Sequence, residues 1–426
     1  MRVERQQHPD DREPGHRQLH EHRDPAGQPT RLGPGHEPAP APQQRDEQGE
    51  GRGARDEPAA VGLSFGVAAV LVAGYHLLRS PEPAPRRDET DEARLRALLD
   101  RHGGRDSLGY FALRDDKSVV FSASGKSAVS YRVLAGVALA SGDPVGDPEA
   151  WPGAIEVFLL ACAGYGWVPA VLGCSEAGAR TWARAGLDVL EFGDEAVLDT
   201  DRFTLEGRAM RGIRQAGARV ARAGYGARVR RLGELDAVER GELTRLATAW
   251  RGDAVERGYS MALSRVAAAD DPDAVVVVAE LDGAVRGLLQ FVPWGSDGLS
   301  LDLMRRDPAA ENGLNEYMIT ELVAAARGLG VRRVSLNFAV FRAALERGER
   351  IGAGPVARLW ARLLRLASRW WQIDSLYRFN DKFRPDWVPR YMAFPTVRDL
   401  PRIMVAALEA EGFGGRPPAV LRLLRR

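Results

Sequence analysis

The sequence predicts an α/β fold of two lobes, preceded by a membrane-spanning helix. Strand and helix patterns alternate between residues 88 and 200, which is typical of an α/β lobe. A hairpin, a strand, a helix and a further strand follow one another between residues 274 and 340. An uncharged stretch, residues 59–78, lies before both lobes. With 426 residues, the chain is long enough for two domains and a tail.

The N-terminal 78 residues divide into a polar part and an apolar part. Residues 1–58 contain almost no aliphatic side chains, so we predict a disordered tail. Residues 59–78 read AAVGLSFGVAAVLVAGYHLL, long enough to cross a bilayer once. A buried helix and a cleaved signal peptide are the alternatives. Flanking arginines slightly favour a cytoplasmic C-terminal side, so we expect a single-pass protein of the cell membrane whose folded part is cytoplasmic.

The first lobe, residues 88–200, is predicted from helical and strand patterns. We expect helices at residues 91–102, 154–164 and 176–185, and strands at 118–122, 131–140 and 168–172.

A basic connecting helix is predicted over residues 201–232. Nine arginines lie from Arg202 to Arg231, against the single acidic residue Glu206. One interpretation is a solvated helix face between the lobes. The other is a surface that contacts the phosphates of RNA or of lipid headgroups.

The second lobe, residues 233–402, carries the predicted chemistry. After a helix at residues 243–257, two apolar runs flank Asp282-Gly283, a strong hairpin signal. A strand at 299–306, the loop DPAAENG, a helix at 314–329 and the strand VRRVSLNFAV follow. This order is the core of the N-acetyltransferase-like (GNAT) fold, in which the loop after the third strand carries the acyl donor. The remaining residues, 403–426, are predicted to be a basic helix or tail.

The donor loop differs from that of GNAT proteins that use acyl-coenzyme A. Those proteins carry Arg/Gln-x-x-Gly-x-Gly/Ala before a helix whose N-terminus binds the phosphates. Here the loop reads RRDPAAENGLNEY and lacks that spacing. The sequence therefore predicts acyl transfer from a donor other than coenzyme A.

Composition excludes several other classes of function. A net charge of +1 argues against binding nucleic acid with the whole molecule. Two cysteines provide neither a disulfide framework nor a metal-ligand cluster, so we expect no metal, and we expect no cofactor. Zinc spacing, a nucleophile elbow and a dinucleotide fingerprint are also missing.

Two clusters contain the predicted site residues. In SLDLMRR, strand alternation separates Asp302 from Arg305, but a bulge could bring them to one cleft. A structural ion pair with Arg305 or Arg306 is the alternative for this aspartate. The second cluster, NDKFRPDWVPRY, contains cations and aromatic rings at a turn stiffened by proline, which suits a phosphate or a stacked base. Its candidate residues are Lys382, one of only three lysines in the chain, with Arg384, Trp387, Arg390 and Tyr391.

A helix at residues 355–372 is predicted to be basic and amphipathic. Its apolar stripe and tryptophans suit either a membrane surface or packing on the core.

Several motifs, in order, resemble the catalytic part of bacterial phosphatidylglycerol lysyltransferases, the MprF-type aminoacyl-phosphatidylglycerol synthases. They are GKSAVSYRVLAGVALASGDPVGDPE, WRGDAVERGYSMAL, LSLDLMRRDPAAENGLNEYM, RRVSLNFAVFR and FNDKFRPDWVPRYMAFP, which span roughly residues 87–401. The resemblance places the family's Asp-x-x-Arg motif on Asp302 and Arg305, and its Lys-Phe-x-Pro-x-Trp segment on Lys382 to Trp387. We predict Asp302, Arg305 and Lys382 as catalytic, and Asn337, Arg384, Trp387, Arg390 and Tyr391 as substrate-binding.

The resemblance implies a tandem GNAT fold and a specific reaction. An aminoacyl group, lysyl in the first instance, would move from aminoacyl-tRNA to the glycerol hydroxyl of phosphatidylglycerol, which makes the membrane less anionic. We expect a form without a fused lysyl-tRNA synthetase and with one spanning segment, hence without lipid flipping. The alternatives are a GNAT-fold aminoacyltransferase acting on a peptide or small molecule, and a non-catalytic membrane-binding module.

Overall fold

A computed structural model describes residues 83–254, 256, 258–340 and 373–412. The predicted tail, the predicted span at 59–78, the amphipathic helix at 355–372 and residues 413–426 lie outside these ranges. Within the described ranges, none of the helices combines the length and apolar character needed to cross a bilayer.

The described chain folds into strands and helices in alternation. The strands are β1 (Ser118–Phe121), β2 (Ser127–Leu134), β3 (Val137–Ser141), β4 (Val145–Gly146), β5 (Val168–Cys174), β6 (Asp188–Asp199), β7 (Gly226–Arg231), β8 (Val275–Leu281), β9 (Ala284–Trp294), β10 (Gly298–Arg306), β11 (Arg333–Val340) and β12 (Asp386–Phe394). The α-helices are α1 (Glu89–His102), α2 (Trp151–Tyr165), α3 (Glu176–Arg184), α4 (Arg211–Arg222), α5 (Ala237–Arg251), α6 (Leu314–Ala326), α7 (Ile373–Asp381) and α8 (Leu400–Ala410).

One twelve-stranded mixed sheet runs through both halves, which confirms the α/β class. Its order is β1-β2-β3-β5-β12-β6-β11-β10-β9-β8-β7, and β4 pairs with β2. In the first half, β3 and β5 are parallel and are joined across α2. In the second half, β10 and β11 are parallel and are joined across α6. The two halves therefore repeat an arrangement of antiparallel strands, a helix and a parallel strand.

Several local predictions differ from the structure. The strand predicted at 131–140 is a hairpin, because Ala135 and Gly136 both adopt positive φ angles (49° and 73°) and turn the chain. The basic stretch 201–232 is helical only over α4, and its last residues form the edge strand β7. The helix predicted within 403–426 begins earlier, at Leu400, and α8 packs on the core through Ile403 and its small neighbours.

The strand β12 joins the two halves of the sheet. It was predicted as a turn-rich segment of the second lobe, yet it pairs antiparallel with β5 on one side and with β6 on the other. The next strand, β11, then pairs with β6. The sheet consequently continues across the boundary predicted around residues 201–232.

A buried ionic cluster sits where β12 crosses the sheet. The Arg390 guanidinium donates to Glu195 Oε2 from Nε (2.9 Å) and Nη2 (2.5 Å), to Asp106 Oδ1 from Nη1 (2.6 Å) and to Ser107 Oγ from Nη2 (2.5 Å). Ser107 and Ser335 both donate to Glu195 Oε1. The cluster therefore links β6, β11 and β12 to the segment before β1. It also corrects the prediction for Arg390, whose donors are engaged inside the core rather than facing a substrate.

Removal of Arg390 should destabilise the fold strongly. We expect Arg390→Met to lower the free energy of unfolding by about 3–5 kcal/mol, because Glu195 and Asp106 would be left as buried charges without their cation. Urea unfolding of the purified full chain measures this loss. The exposed Arg398→Met is the control and should change stability by less than about 0.5 kcal/mol. An equal, small effect of both variants would contradict the structural role of Arg390.

Candidate functional site

A separation of two parallel strands forms the centre of the candidate site. β10 and β11 pair only over Gly298–Ser300 and Arg333–Ser335. Beyond this point β10 has an irregularity between Leu301 and Leu303 in its ladder with β9, and β11 has one after Ser335 in its ladder with β6. Past these irregularities, among the residues that the structure describes, β10 pairs only with β9, and β11 pairs only with β6. The backbone groups of β10 and β11 therefore no longer pair with each other.

Asn337 bridges the separated strands. Its Nδ2 donates to the carbonyl of Leu301 on β10 (2.6 Å) and reaches that of Met261 (3.5 Å). Its backbone N–H donates to Ser335 Oγ (3.2 Å), and its φ of 67° lies in the left-handed region. Within the described residues its buried Oδ1 has no hydrogen-bond partner. Asn337, a predicted site residue, thus lies where β10 and β11 separate, and its Oδ1 is still able to accept a hydrogen bond.

Asp302 occupies the irregular position on β10. Its Oδ1 accepts from the backbone N–H of Leu263 (2.7 Å), and its Oδ2 accepts from Gln290 Nε2 (2.6 Å). Gln290 is itself held, since its Oε1 accepts from Ala267 N–H (2.8 Å) and its Nε2 also donates to the Arg265 carbonyl (3.1 Å). Burial raises the pKa of Asp302 to about 7, although these hydrogen bonds lower it.

The ion pair considered from the sequence for Asp302 does not form, because Arg305 has another partner. Arg305 Nη2 contacts Glu256 Oε1 (2.6 Å), and Nη1 donates to the Ala247 carbonyl (3.2 Å). Glu256 Oε2 also contacts Arg251 Nη1 (2.8 Å). Glu256 thus lies between two arginines, and the Asp302 carboxyl is held by neutral donors.

Asp302 and Arg305 line one cleft, as a bulge would allow. This cleft, here called the β10 cleft, encloses about 450 Å³ and lies between the end of β10 and the end of α5. Its lining consists of Trp250, Arg251, Ala254, Glu256 and the β10 residues 302–306. A carboxyl that titrates near neutrality beside several cations suits proton transfer and the stabilisation of negative charge.

A second cleft, here called the α6 cleft, adjoins the first at Arg306. It encloses about 550 Å³ and contains the start of α6 and Lys382. The helix begins after Gly313, whose φ is 96°, and no side chain caps its first turn. Arg306 lines both clefts and donates from Nη1 to the Ala310 carbonyl (2.9 Å). Free backbone N–H groups beside cations favour an anionic ligand.

Lys382 lies in the α6 cleft and does not line the β10 cleft. Its Nζ forms an ion pair with Glu316 Oε1 (2.8 Å) and lies 5.5 Å from the centre of the Phe379 ring. Arg384 is exposed and has a φ of 53°. The structure therefore places Lys382 near the start of α6 and Arg384 at the surface.

The remaining predicted residues on β12 pack within the fold. Trp387 lies against Tyr377, with ring centroids 5.0 Å apart, and contributes to the core of the second half. Tyr391 packs with the core of the first half, on the strand shared with β5. These placements separate both side chains from the linings of the two clefts.

Sequence reasoning did not single out Glu256 or Gln290, and it considered Arg306 only as an ion-pair partner of Asp302. The motif WRGDAVERGYSMAL, noted only as part of the resemblance, contains Glu256 and the loop that contacts Asp302. Gln290 lies in an apolar strand as an isolated polar residue, and such a residue needs a buried partner. Within the described residues there is no group of side chains that could hold a metal ion.

Three comparisons place the chain among known proteins. The family described as "Phosphatidylglycerol lysyltransferase, C-terminal" matches residues 96–394. The "lysylphosphatidylglycerol biosynthesis bifunctional protein LysX" of Mycobacterium avium is 51% identical over 350 residues, which cover 82% of this chain and 30% of that protein. The protein of the same name from Rhodococcus jostii is 51% identical over 351 residues, which cover 82% and 31%. The chain thus spans about a third of the length of these relatives.

A solved structure supports the fold. The structure of L-PGS from Bacillus licheniformis aligns with a TM-score of 0.66 over 79% of this chain and 99% of that chain, at 23% identity.

The pKa of Asp302 predicts a pH-dependent stability. In the folded chain the Asp302 carboxyl keeps its proton up to about pH 7, whereas in the unfolded chain it releases that proton near pH 4. Between these values the unfolded state binds fewer protons, so the free energy of unfolding should fall as pH rises. Urea unfolding should show this loss in the unaltered chain and a smaller loss in Asp302→Asn, in which the Asp143 carboxyl, whose pKa burial also raises to about 7, still contributes.

Asp307→Asn is the matched control for this measurement. A backbone hydrogen bond from Ala309 and contact with Arg286 lower the pKa of Asp307, so its stabilisation is lost only at acidic pH. This variant should keep the loss between pH 4 and 7. If Asp302→Asn keeps the full loss of the unaltered chain, the burial of the Asp302 carboxyl does not contribute to it.

Proposed function

Because the chain belongs to the phosphatidylglycerol lysyltransferase C-terminal family, we propose that it transfers an aminoacyl group to phosphatidylglycerol. The observation that carries the proposal is the 51% identity, over 82% of this chain, to proteins named for lysylphosphatidylglycerol biosynthesis. Lysyl is accordingly the aminoacyl group that we expect to be transferred.

An aminoacyl-tRNA is the donor that best suits the two clefts. The loop between β10 and α6 contains Asp307 and Glu311 and has a single glycine, Gly313, directly before the helix. This loop lacks the glycine-rich cradle used for coenzyme A pyrophosphate. The α6 cleft nevertheless offers Arg306, Lys382 and an uncapped helix start to an anion. In our proposal it holds phosphates near the 3′ end of the tRNA.

The chemical step would take place in the β10 cleft. The glycerol hydroxyl attacks the aminoacyl ester carbonyl, a new ester bond forms, and the bond to the ribose oxygen breaks. The Asp302 carboxylate accepts the proton of the attacking hydroxyl and returns one to the departing ribose oxygen, so the charges balance. A pKa of about 7 suits both directions of this transfer.

Cations and a free acceptor would complete the β10 site. Arg305, held by Glu256, stabilises the negative charge that develops on the carbonyl oxygen. Asn337, whose Nδ2 donates to the Leu301 carbonyl directly before Asp302, holds β10 in place beside the cleft, and its Oδ1 is an acceptor that the ammonium group of the aminoacyl moiety could use if it reached this far. Because an ester is already activated, positioning and charge stabilisation supply most of the acceleration.

We place this reaction at the cytoplasmic face of the cell membrane. The support is the uncharged run at residues 59–78, which is long enough to span a bilayer and precedes the folded part. Such an attachment would keep the clefts close to a lipid acceptor. The product would carry less negative charge than phosphatidylglycerol.

The proposal predicts a lipid product and its dependence on two residues. Lipid extraction and mass spectrometry, after expression in a host that contains phosphatidylglycerol, should show a lysyl adduct. Asp302→Asn should lower its formation at least about 100-fold, because proton transfer is lost. Lys382→Ala should also abolish it, because donor phosphates lose a cation. Ribonuclease treatment of the charged tRNA should prevent transfer by the purified chain.

Two variants serve as matched controls. Asp282→Asn changes a residue at an exposed hairpin turn, where φ is 53°, and Lys126→Ala removes an exposed lysine of the first half. Both should retain full activity. Near-normal lipid aminoacylation by Asp302→Asn and Lys382→Ala would refute the roles assigned here. Transfer to a peptide or small molecule in the absence of lipid would refute phosphatidylglycerol as the acceptor.

A further inference from the structure

The solvent side of α4, together with the turn before it, carries a row of arginines. Arg208, Arg211, Arg214 and Arg222, here called the α4 ridge, are all exposed. The apolar residues of this helix point the other way, into the core of the second half. A helix that buries its apolar stripe in this way presents its charges permanently to solvent.

The α4 ridge lacks acidic partners within the described part of the chain. Arg214 Nη1 donates to the Gly207 carbonyl (2.8 Å), and Arg222 Nε donates to the Ala218 carbonyl (3.1 Å), so both contact only backbone. Neighbouring arginines are neutralised, since Arg219 pairs with Glu311 at 3.5 Å and Arg228 pairs with Glu280. The positive charge of the ridge is therefore available to a partner.

The α4 ridge adjoins the α6 cleft. Gly212, Ala216 and Arg219, on the same helix, line that cleft. The two helices approach closely, because a Cβ at Gly313 would lie 2.8 Å from the Cβ of Ala216. A polyanion that lies along the ridge could therefore continue directly to the start of α6.

The chemistry of α4 favours RNA over a membrane surface. A helix that lies in a bilayer interface needs exposed large apolar side chains. The exposed positions of α4 are arginine, glutamine, alanine and glycine, while Ile213 and Val220 are buried. Arg211 and Arg214 lie one turn apart, about 4.5 Å along the helix axis, and can contact neighbouring phosphates.

We propose that the α4 ridge binds the backbone phosphates of the double-stranded acceptor stem of the donor tRNA. This inference rests on the proposed function and deepens it by assigning the face on which the donor lies. Recognition through phosphates and duplex shape would not read base sequence. The ridge would orient the stem so that its 3′ end enters the α6 cleft.

The test measures binding of uncharged tRNA to the purified full chain over a range of KCl concentrations. For Arg211→Ala/Arg214→Ala we expect weaker binding and a slope of log K against log [KCl] that is smaller in magnitude by about 1–2, as two phosphate contacts require. Arg211→Lys/Arg214→Lys should retain most of the slope, because the charges remain.

Arg180→Ala/Arg184→Ala, on the exposed face of α3, is the matched control and should keep the original affinity and slope. The KM for charged tRNA in lipid aminoacylation should rise in the α4 variant more than kcat falls. An unchanged slope and affinity in the α4 variant would overturn the inference. The inference would also be overturned if the unaltered chain did not bind tRNA. The same holds if the α4 variant lost binding to phosphatidylglycerol vesicles and kept its binding to tRNA.

Failure of the proposed function gives a different result. A chain that binds tRNA with the expected slope but forms no lipid product would refute the acceptor and retain the α4 ridge as an RNA-binding surface.

Discussion

The buried contact of Arg390 with Glu195 and Asp106 sets the geometry of the whole sheet. A guanidinium in the core is tolerated only because two carboxylates, the Ser107 hydroxyl and the Gly173 carbonyl accept its hydrogen bonds. Glu195 also accepts from Ser335, which in turn accepts from the backbone of Asn337. The position of the residue that bridges β10 and β11 therefore depends on a charge pair in the next strands of the sheet. Fold and site share one hydrogen-bonded network.

The site itself arises where the sheet ladder is interrupted. Regular pairing would occupy the backbone groups of β10 and β11 and place Asp302 and Arg305 on opposite faces. The irregularities in both strands remove that constraint and leave a cleft lined by both side chains. Removing the Asp302 carboxyl from water costs free energy, and hydrogen bonds from Leu263 and Gln290 partly offset this cost. The same burial moves its pKa toward the range in which proton exchange is easy.

Local patterns predicted much of the second half and of the β10 cleft. The Asp282-Gly283 turn, β10, α6 and the presence of Asp302 and Arg305 in one cleft follow from short-range periodicity and one allowed bulge. Long-range charge compensation could not be predicted in this way. β6 reads DVLEFGDEAVLD, and so many acidic residues are not typical of a central strand. The charge of Glu195 is compensated there by Arg390, which lies 195 positions away in the sequence. For the same reason Arg390 resembled a ligand-binding residue and β12 a turn.

The insertion of β12 between β5 and β6 imposes an order on folding during synthesis. Until residues 386–394 have left the ribosome, the strands β1 to β5 and the strands from β6 onward cannot join into one sheet, and β5 and β6 each lack a neighbour on one edge. Joining them requires contacts between segments almost 200 positions apart, which form slowly. The nascent chain therefore carries two unpaired edges and the uncompensated charge of Glu195 until Arg390 is synthesised, 195 positions later. Unpaired strand edges of this kind make the nascent chain prone to aggregation at this stage.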